Sequence, residues 1–434
     1  MNRKYLYFLL LYSALHITFF ILQAGLGNYY LDDSMEYIQE ADNILHNGIA
    51  YCGDPNQPDD PALYTKRPPA YPLFLTLARL FTEKPFPVLI LQAILSFLSA
   101  LLLIRIFHRD RSSWLFLSLF ILFLPAQFIY SNMVMSEILF QFILMAATLM
   151  IYRYLRTRHN RYLWAYQSLL ILGILVKPVL YLFVFVNLAF FMYLYFFRYR
   201  YRLLLLSAFI PVIFIIIFSG INQQRTGYFH VSSIQQINLV DYNVFFYLTD
   251  RDGVEEARKV TDDLHVTCAQ NPSFKEQMEC LDKGAKDILM EKPLSYGLFH
   301  LKGILRFFID PGRFDLYNFF GLESNDGKGF LYYINTSGIK GIFEYLKTQP
   351  VLIVAWLLLI AAFNLLKTAG FLFFLFNRKY ARDLRIFLFL LVGTIAFATG
   401  PLGASRFALP VSLLVLGAAA IQYQQWYLKL RKSS

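Results

Sequence analysis

The stretch YLYFLLLYSALHITFFILQAGL, residues 5–26, decides the fold class of this chain. It is close to the ~20 apolar residues that a helix needs to cross a bilayer, and longer than the ~7–15 residues of a signal-peptide hydrophobic core. Similar runs recur along the 434 residues, of which 57% are hydrophobic and only 16% are charged. The sequence therefore predicts an all-α polytopic membrane protein that keeps this first run as a transmembrane helix.

Ten apolar runs are predicted to cross the membrane, namely residues 5–26, 86–106, 113–130, 136–154, 162–176, 178–197, 203–220, 350–375, 384–399 and 407–425. Basic residues cluster at alternate ends of these runs, and the positive-inside rule places such clusters in the cytoplasm. The clusters hold 19 of the 40 Lys and Arg residues: Arg3, Lys4, Arg105, Arg109, Arg111, Arg153, Arg156, Arg158, Arg161, Arg198, Arg200, Arg202, Arg378, Lys379, Arg382, Arg385, Lys429, Arg431 and Lys432. Both termini are then cytoplasmic. The net charge of +11 reflects this topology, and no nucleic-acid partner is expected.

The acidic residues favour the opposite side of the membrane. Only Asp110 and Asp383 fall in the cytoplasmic segments, which leaves 27 of the 29 Asp and Glu residues elsewhere. Nearly all of these lie in two predicted loops, the first outer loop (residues 27–85) and the second outer loop (residues 221–349). We therefore expect an integral protein of the plasma (inner) membrane whose chemistry takes place on the outer face. Its predicted parts are an N-terminal membrane domain with seven spans and the first outer loop (1–220), the second outer loop (221–349) and C-terminal transmembrane helices (350–434).

Within the two outer loops the sequence predicts a few local structures. Residues 34–45 have apolar side chains at helical spacing, which is typical of an amphipathic helix lying along a membrane surface. Residues 231–240 are predicted to be extended and strand-like, and residues 253–292 to form a charged helix. Cys268 and Cys280 either form a disulfide on the outer face or stay free, because spacing in sequence does not give the distance between them.

Five short motifs occur in order along the chain. LDDSMEYIQEADNILHNG (residues 31–48) follows the first span and contains Asp33-x-x-x-Tyr37, and the other four are KRPPAYP (66–72), PAQFIYSNMVMSEILF (125–140), LVKP (175–178) and GPLGASRFALP (400–410). Together they resemble the GT-C superfamily of membrane glycosyltransferases, which includes protein O-mannosyltransferases and lipid A aminoarabinose transferases. The resemblance covers the N-terminal half well, whereas the second outer loop matches no motif of the superfamily.

The resemblance implies an inverting glycosyltransferase. Such an enzyme would move one sugar from a polyprenyl-phosphate donor to a glycan, lipid or protein acceptor on the outer face, in contact with membrane lipid. It would require no cofactor, although Asp32, Asp33 and Glu137 could share a divalent metal ion. A transporter or flippase of lipid-linked sugars is the alternative, and it predicts charged residues within several spans. A non-catalytic assembly factor with a decayed site is a third.

The chemistry of sugar transfer suggests a role for each candidate residue. A base must take the acceptor proton, and Asp33 suits this better than its neighbour Asp32 because of its spacing to Tyr37. Cations must hold the phosphate, and Lys177 lies between two apolar runs, where an unpaired charge is functional by default. Further candidates for substrate binding are Arg406 and Arg67, whose planar fork suits phosphate, with Lys66, Glu137, Tyr37 and Tyr71.

Each candidate also has an ordinary structural explanation. Asp32 and Asp33 could be a solvated linker or a helix cap. Glu137 could complement the dipole at the start of a span. Lys177 could extend to the membrane surface, and Arg406 could pair with a carboxylate of an outer loop. Lys66 and Arg67 could be anchors at the membrane interface.

Overall fold

The computed structural model describes residues 3–107, 113–322, 340 and 351–433. In this part of the chain all regular secondary structure is helical, which confirms the predicted all-α class. Seven helices of the described part are long and apolar enough to cross a membrane: Lys4–Leu26, Phe86–Phe107, Glu137–Thr157, Pro178–Tyr199, Arg202–Thr226, Val351–Phe376 and Ser405–Arg431.

The remaining three predicted spans also coincide with helices. Trp114–Leu122 and Pro125–Asn132 form a pair bent by 77° that could make one further span. Asn160–Val176 and Arg382–Ala398 have 17 residues each, the lower limit for a transmembrane helix. All ten predicted runs therefore correspond to helical segments. Arg109 and Arg111 of the predicted basic clusters lie outside the described residues.

The bend in the third predicted span has a local cause. Pro125 begins the second half of the pair, where its missing N–H and fixed φ suit a first helical position but not a helix interior. The segment after the bend is held by Gln92, whose side-chain amide donates to the carbonyl oxygens of Tyr130, Ser131 and Met133. This irregular segment leads directly into the span that begins at Glu137.

The first outer loop contains two helices. Asp32–Asn47 confirms the amphipathic helix predicted at residues 34–45, and Ala70–Arg79 packs beside it. A single turn of 3-10 helix, Pro61–Tyr64, lies between them.

All regular secondary structure in the described part of the second outer loop is helical, so the prediction of a strand-like segment at residues 231–240 is wrong. Ile234–Ile237 continues into the π-helical turn Asn238–Val244. Val240 and Val244 are buried on one side of this turn, and a spacing of four residues is that of a helix face.

Five more helices follow in the described part of the second outer loop: Phe245–Asp252, Val254–Ala269, Phe274–Glu291, Pro293–Ile309 and Arg313–Phe320. The single charged helix predicted for residues 253–292 is thus two helices, and a disulfide between Cys268 and Cys280 joins them. Residues 323–339 and 341–350 of this loop lie outside the described residues.

The two outer loops meet at one end of the helix bundle, which we call the loop end. Ser232 and Ser233 donate to the carbonyl oxygens of Lys66 and Ala62, and Asn28 donates to the carbonyl oxygen of Phe319. Pro293–Ile309 packs against the turn before the last span at a point where only glycine fits, since a Cβ on Gly303 would stand 1.7 Å from the carbonyl oxygen of Gly400. The loops and the start of the last span therefore form one packed layer.

Candidate functional site

The helix Asp32–Asn47 presents its acidic residues to the bundle. Asp33, Glu36 and Glu40 are three or four residues apart and so share a face. The start of the helix is closed by Ser34, whose hydroxyl oxygen accepts from the N–H of Leu31 at 2.9 Å. Asp32 is exposed at the first position, where its charge suits the helix dipole. Helix geometry thus turns Asp33 toward the bundle and leaves Asp32 exposed, a difference in burial that the sequence alone does not show.

Arg67 links the carboxylates of this helix. Its Nη2 lies 2.6 Å from Asp33 Oδ1, and its Nε lies 2.6 Å from Glu36 Oε2. Lys66 Nζ donates to the other oxygen of Glu36 at 2.7 Å. The guanidinium also lies 4.9 Å from the centre of the Tyr37 ring, a cation–π contact. The KRPP segment and the acidic helix are therefore joined by charge-assisted hydrogen bonds.

Glu137 organises a second group of charges. It is the first residue of its span and is fully buried. Its Oε1 accepts from Lys177 Nζ at 2.8 Å and from Arg406 Nε at 2.7 Å, while its Oε2 has no hydrogen-bond partner among the described residues. Burying a carboxylate beside two cations avoids the large free-energy cost of isolated buried charge.

Arg406 joins the two groups, because its Nη2 donates to Asp33 Oδ2. We call the whole set the charge cluster: Asp33, Glu36, Lys66, Arg67, Glu137, Lys177 and Arg406. It contains four cations and three carboxylates, which leaves an excess of one positive charge. The residues come from the first outer loop, from the starts of two spans and from the break between two others. The cluster is therefore a product of tertiary packing and lies at the loop end of the bundle.

The two arginines change the acid–base behaviour of Asp33. Burial alone would raise the pKa of its carboxyl group. The charges and hydrogen bonds of Arg406 and Arg67 outweigh burial and hold that pKa well below its ordinary value. Asp33 is thus a firmly ionised and weak base as long as both arginines contact it.

Tyr37 and Tyr71 form a wall next to the cluster. Both rings are buried, and they pack edge to face with their centroids 4.8 Å apart. The Tyr37 hydroxyl lies 3.2 Å from Ser136 Oγ, and the Tyr71 hydroxyl donates to Gln92 Oε1 at 2.8 Å. Direct contact of either ring with a substrate would require it to move.

Within the described residues no group of three His, Cys, Asp or Glu side chains is arranged to hold a metal ion. Asp33 and Glu137 approach each other only through Arg406, and Asp32 lies exposed at the helix start. Of the three carboxylates suggested as a shared metal site, Asp33 and Glu137 thus contact cationic side chains in this structure, and Asp32 lies apart from them.

Sequence reasoning missed the role of Glu36, although this residue lies in the motif at residues 31–48. It also missed Glu40, which is 2% exposed and whose Oε2 has no hydrogen-bond partner among the described residues. Burial raises the pKa of Glu40 to about 8, against the opposing effect of the nearby Arg67. The helical spacing of Asp33, Glu36 and Glu40 was the signal that could have revealed both.

A second group of buried polar residues supports the start of the last span. Asp315 accepts from the hydroxyls of Tyr130 (2.6 Å) and Ser405, and Asp310 accepts from the N–H of Ser405 at 2.7 Å. Burial raises the pKa of Asp315 to about 7. Because Arg406 follows Ser405 directly, these two aspartates position the backbone from which the Arg406 side chain reaches the charge cluster.

The chain is similar to known proteins only at the level of solved structures. No protein-family model matches the chain. No curated protein matches it significantly. Among solved structures the chain is similar to ArnT from Cupriavidus metallidurans bound to undecaprenyl phosphate, with 14% sequence identity and a TM-score of 0.37, over 95% of this chain and 77% of that one. These two values are too low for the likeness to decide the fold or the function of the chain.

Proposed function

We propose that this chain is a membrane glycosyltransferase of the GT-C type. It moves one sugar from a polyprenyl-phosphate donor to an acceptor hydroxyl on the outer face of the membrane. The observation that carries the proposal is the charge cluster, in which Arg67, Lys177 and Arg406 converge on Asp33 and Glu137 at the loop end. The five sequence motifs that resemble the superfamily supply most of these residues.

The arginines suit a phosphate because a guanidinium binds two oxygens at once and a lysine supplies a point charge. Arg67 and Arg406 each contact Asp33 with one terminal nitrogen. A donor phosphate would draw these nitrogens away from the carboxylate. Phosphate binding would then remove the two cations that hold the pKa of Asp33 low. The same event therefore binds the donor and strengthens the base.

The transfer step follows from this exchange. Asp33 accepts the proton of the acceptor hydroxyl as its oxygen forms a bond to the anomeric carbon. The bond from that carbon to the phosphate oxygen breaks, and its electron pair leaves with polyprenyl phosphate. Arg67, Arg406 and Lys177 stabilise the added negative charge. A single displacement of this kind inverts the configuration at the anomeric carbon.

Glu137 acts here through other residues. It is fully buried and holds Lys177 and Arg406 with one oxygen, so it keeps two cations close together that would otherwise repel each other. We assign it as a positioning residue. In the proposed reaction the phosphate is held by arginine and lysine side chains, and a divalent ion takes no part.

The experiment uses the purified chain in nanodiscs and a panel of radiolabelled polyprenyl-phosphate sugars, with crude lipid and glycan extracts as acceptors. Asp33→Asn and Asp32→Asn are made in parallel. Asp32 is a matched control because it is the neighbouring aspartate but is exposed at the helix start. We expect the wild type and Asp32→Asn to consume one donor, and Asp33→Asn to lose at least about 100-fold in rate.

Two results would contradict the proposal. Activity of Asp33→Asn equal to that of wild type would remove the base assignment. If the wild type consumes no donor, the proposed transferase activity is contradicted. Flipping of the same labelled lipids across vesicle membranes would then be measured. Lys367, a buried charge within the span Val351–Phe376, is the specific feature that such a transporter would use.

A further inference from the structure

A small cavity with a mixed polar and apolar lining adjoins the start of the last span. Its volume is about 60 Å³, and Lys367 of the span Val351–Phe376 lines it. Lys367 is 6% exposed. The polar side chains that share the lining are those of Asp310, Asn364, Thr368, Ser405 and Ser412. Ser405 precedes Arg406, so the cavity adjoins the charge cluster but is lined by different residues.

The Lys367 side chain is a charged group of this lining that lacks a partner in the described part of the chain. No ion pair or hydrogen bond of Lys367 is found among the residues that the structure describes. The neighbouring side chains already donate to backbone carbonyl oxygens: Asn364 to Asp310, Thr368 to Phe308 and Ser412 to Leu409. The Lys367 amine therefore lines the cavity as a hydrogen-bond donor that has no partner among the described residues.

The carboxylate of Asp310 does not neutralise this charge directly. Its Oδ2 accepts from the backbone N–H of Ser405 at 2.7 Å, and no ion pair joins it to Lys367. An unpaired charge at membrane depth is costly and marks an ion or ligand pathway by default. A bound anion would supply the counter-charge that Lys367 lacks among the described residues.

The volume of the cavity limits the size of the anion that it can bind. A cavity needs roughly 10–15 Å³ for each water, so about 60 Å³ holds a handful of waters or one tetrahedral oxyanion. A hexose has more than twice the heavy atoms of a phosphate, so a phosphate is the better match to this volume. The apolar part of the lining, which includes Phe307 and Val411, would accept the first carbons of an attached chain.

We propose that the cavity at Lys367 is a second anion site, which binds a phosphate monoester or free phosphate in addition to the phosphate expected at the charge cluster. The source is either a lipid head group that reaches the cavity from the bilayer or inorganic phosphate. This site does not depend on the proposed transfer reaction. Its loss would leave the charge cluster unchanged.

The test measures the midpoint of thermal unfolding of the full chain in nanodiscs. Lys177→Met serves as the background, because it weakens the expected phosphate site at the charge cluster. The ligands are inorganic phosphate, a short polyprenyl monophosphate and the corresponding polyprenol. We expect ligand at about 100 times its Kd to raise the midpoint by roughly 3 °C in Lys177→Met, and to leave Lys177→Met/Lys367→Met unchanged.

The variants separate the outcomes. Lys367→Arg keeps the charge and should keep the response, and Lys367→Gln serves as a second uncharged variant if Lys367→Met does not fold. A response to both phosphates supports an anion site open to either source, and a response to the lipid phosphate alone identifies a head group. Equal responses to the polyprenol and its phosphate, or equal responses with and without Lys367, overturn the proposal. Neither result bears on sugar transfer, which is measured separately with Asp33→Asn.

Discussion

Glu137 is the residue on which the buried half of the charge cluster depends. It is fully buried, whereas the side chain of Glu36, which also contacts two cations, is 28% exposed. Both glutamates bridge a lysine and an arginine. The difference in burial decides how much each bridge contributes, because solvent screens Glu36 and not Glu137.

We expect Glu137→Gln to lower the free energy of unfolding by about 3–5 kcal/mol, because it leaves Lys177 and Arg406 buried without their shared anion. The matched control Glu36→Gln should cost about 1 kcal/mol or less. Denaturation in mixed micelles would measure both. Glu137→Gln/Lys177→Met should recover part of the loss, and strictly additive effects of the two substitutions would show that this pair is not coupled.

Glu40 should make stability depend on pH. Burial raises its pKa from 4.5 to about 8, so the folded chain holds a proton there that the unfolded chain releases. The stabilising effect of that proton is complete below pH 4.5 and is lost as the pH rises towards about 8. Glu40→Gln should therefore match wild type near pH 5 and exceed it at pH 8 by an amount on the order of 3 kcal/mol. Thermal midpoints at both pH values test this, and a constant difference between the two chains would refute it.

At the scale of elements, two helical units form much of the described structure at the loop end. The helix Asp32–Asn47 supplies three acidic residues on one face, and Val254–Ala269 is tied to Phe274–Glu291 by the disulfide Cys268–Cys280. Leu281 of the second unit shares an apolar core with Val240 and Tyr247, which belong to the preceding segments Asn238–Val244 and Phe245–Asp252. The second outer loop therefore has an apolar core of its own beside the membrane helices.

The disulfide gives a simple chemical expectation. When the chain is unfolded without reductant, one thiol should react, that of Cys52. When it is unfolded with reductant, the thiols of all three cysteines should react. The count is made with a maleimide probe. Cys268→Ser/Cys280→Ser should destabilise the second outer loop by about 2–4 kcal/mol, because the cross-link restricts the unfolded segment. If protein purified from membranes without reductant labels at three thiols, the pairing of Cys268 with Cys280 is contradicted.

At the scale of the whole molecule, the arrangement of charge is the dominant feature. Residues from both outer loops, from the break at Lys177 and from the start of the last span meet at one end of the bundle. Basic residues such as Arg156 and Arg198 belong to segments at which other spans end. The molecule thus separates its charge cluster from its predicted cytoplasmic anchors along the bundle axis.

Sidedness can be measured with single cysteines. Asn56 and Thr157 are both exposed, the first in the first outer loop and the second at the end of the span Glu137–Thr157. A maleimide that cannot cross membranes should label Asn56→Cys in intact cells, and label Thr157→Cys only after permeabilisation. Buried Cys52 in the unsubstituted chain provides the background signal. The reverse pattern would place the charge cluster in the cytoplasm and exclude the proposed donor face.

Particular residues show how far sequence reasoning reaches. The predicted spans and the amphipathic helix depend on apolar side chains within one turn or two of each other. The amphipathic helix is confirmed, and seven described helices that coincide with predicted spans are long and apolar enough to cross a membrane. Residues 231–240 were predicted wrongly although Val231, Ile234, Ile237 and Val240 recur every three residues, which is helical spacing and does not fit a period of two. The structure agrees with that spacing, since Val240 and Val244 are buried against neighbouring helices.

The sequence by itself determined that this protein is a helical membrane protein, and it identified most residues of the charge cluster as candidates. Hydropathy and charge at span ends are local properties, so no packing information was needed for them. Only the tertiary structure decided that Arg406 contacts Asp33 across 373 residues of sequence, that Glu137 holds Lys177, and that Asp32 stays exposed. The physical reason is that contacts between distant residues depend on how the helices cross and pack, which no single segment encodes.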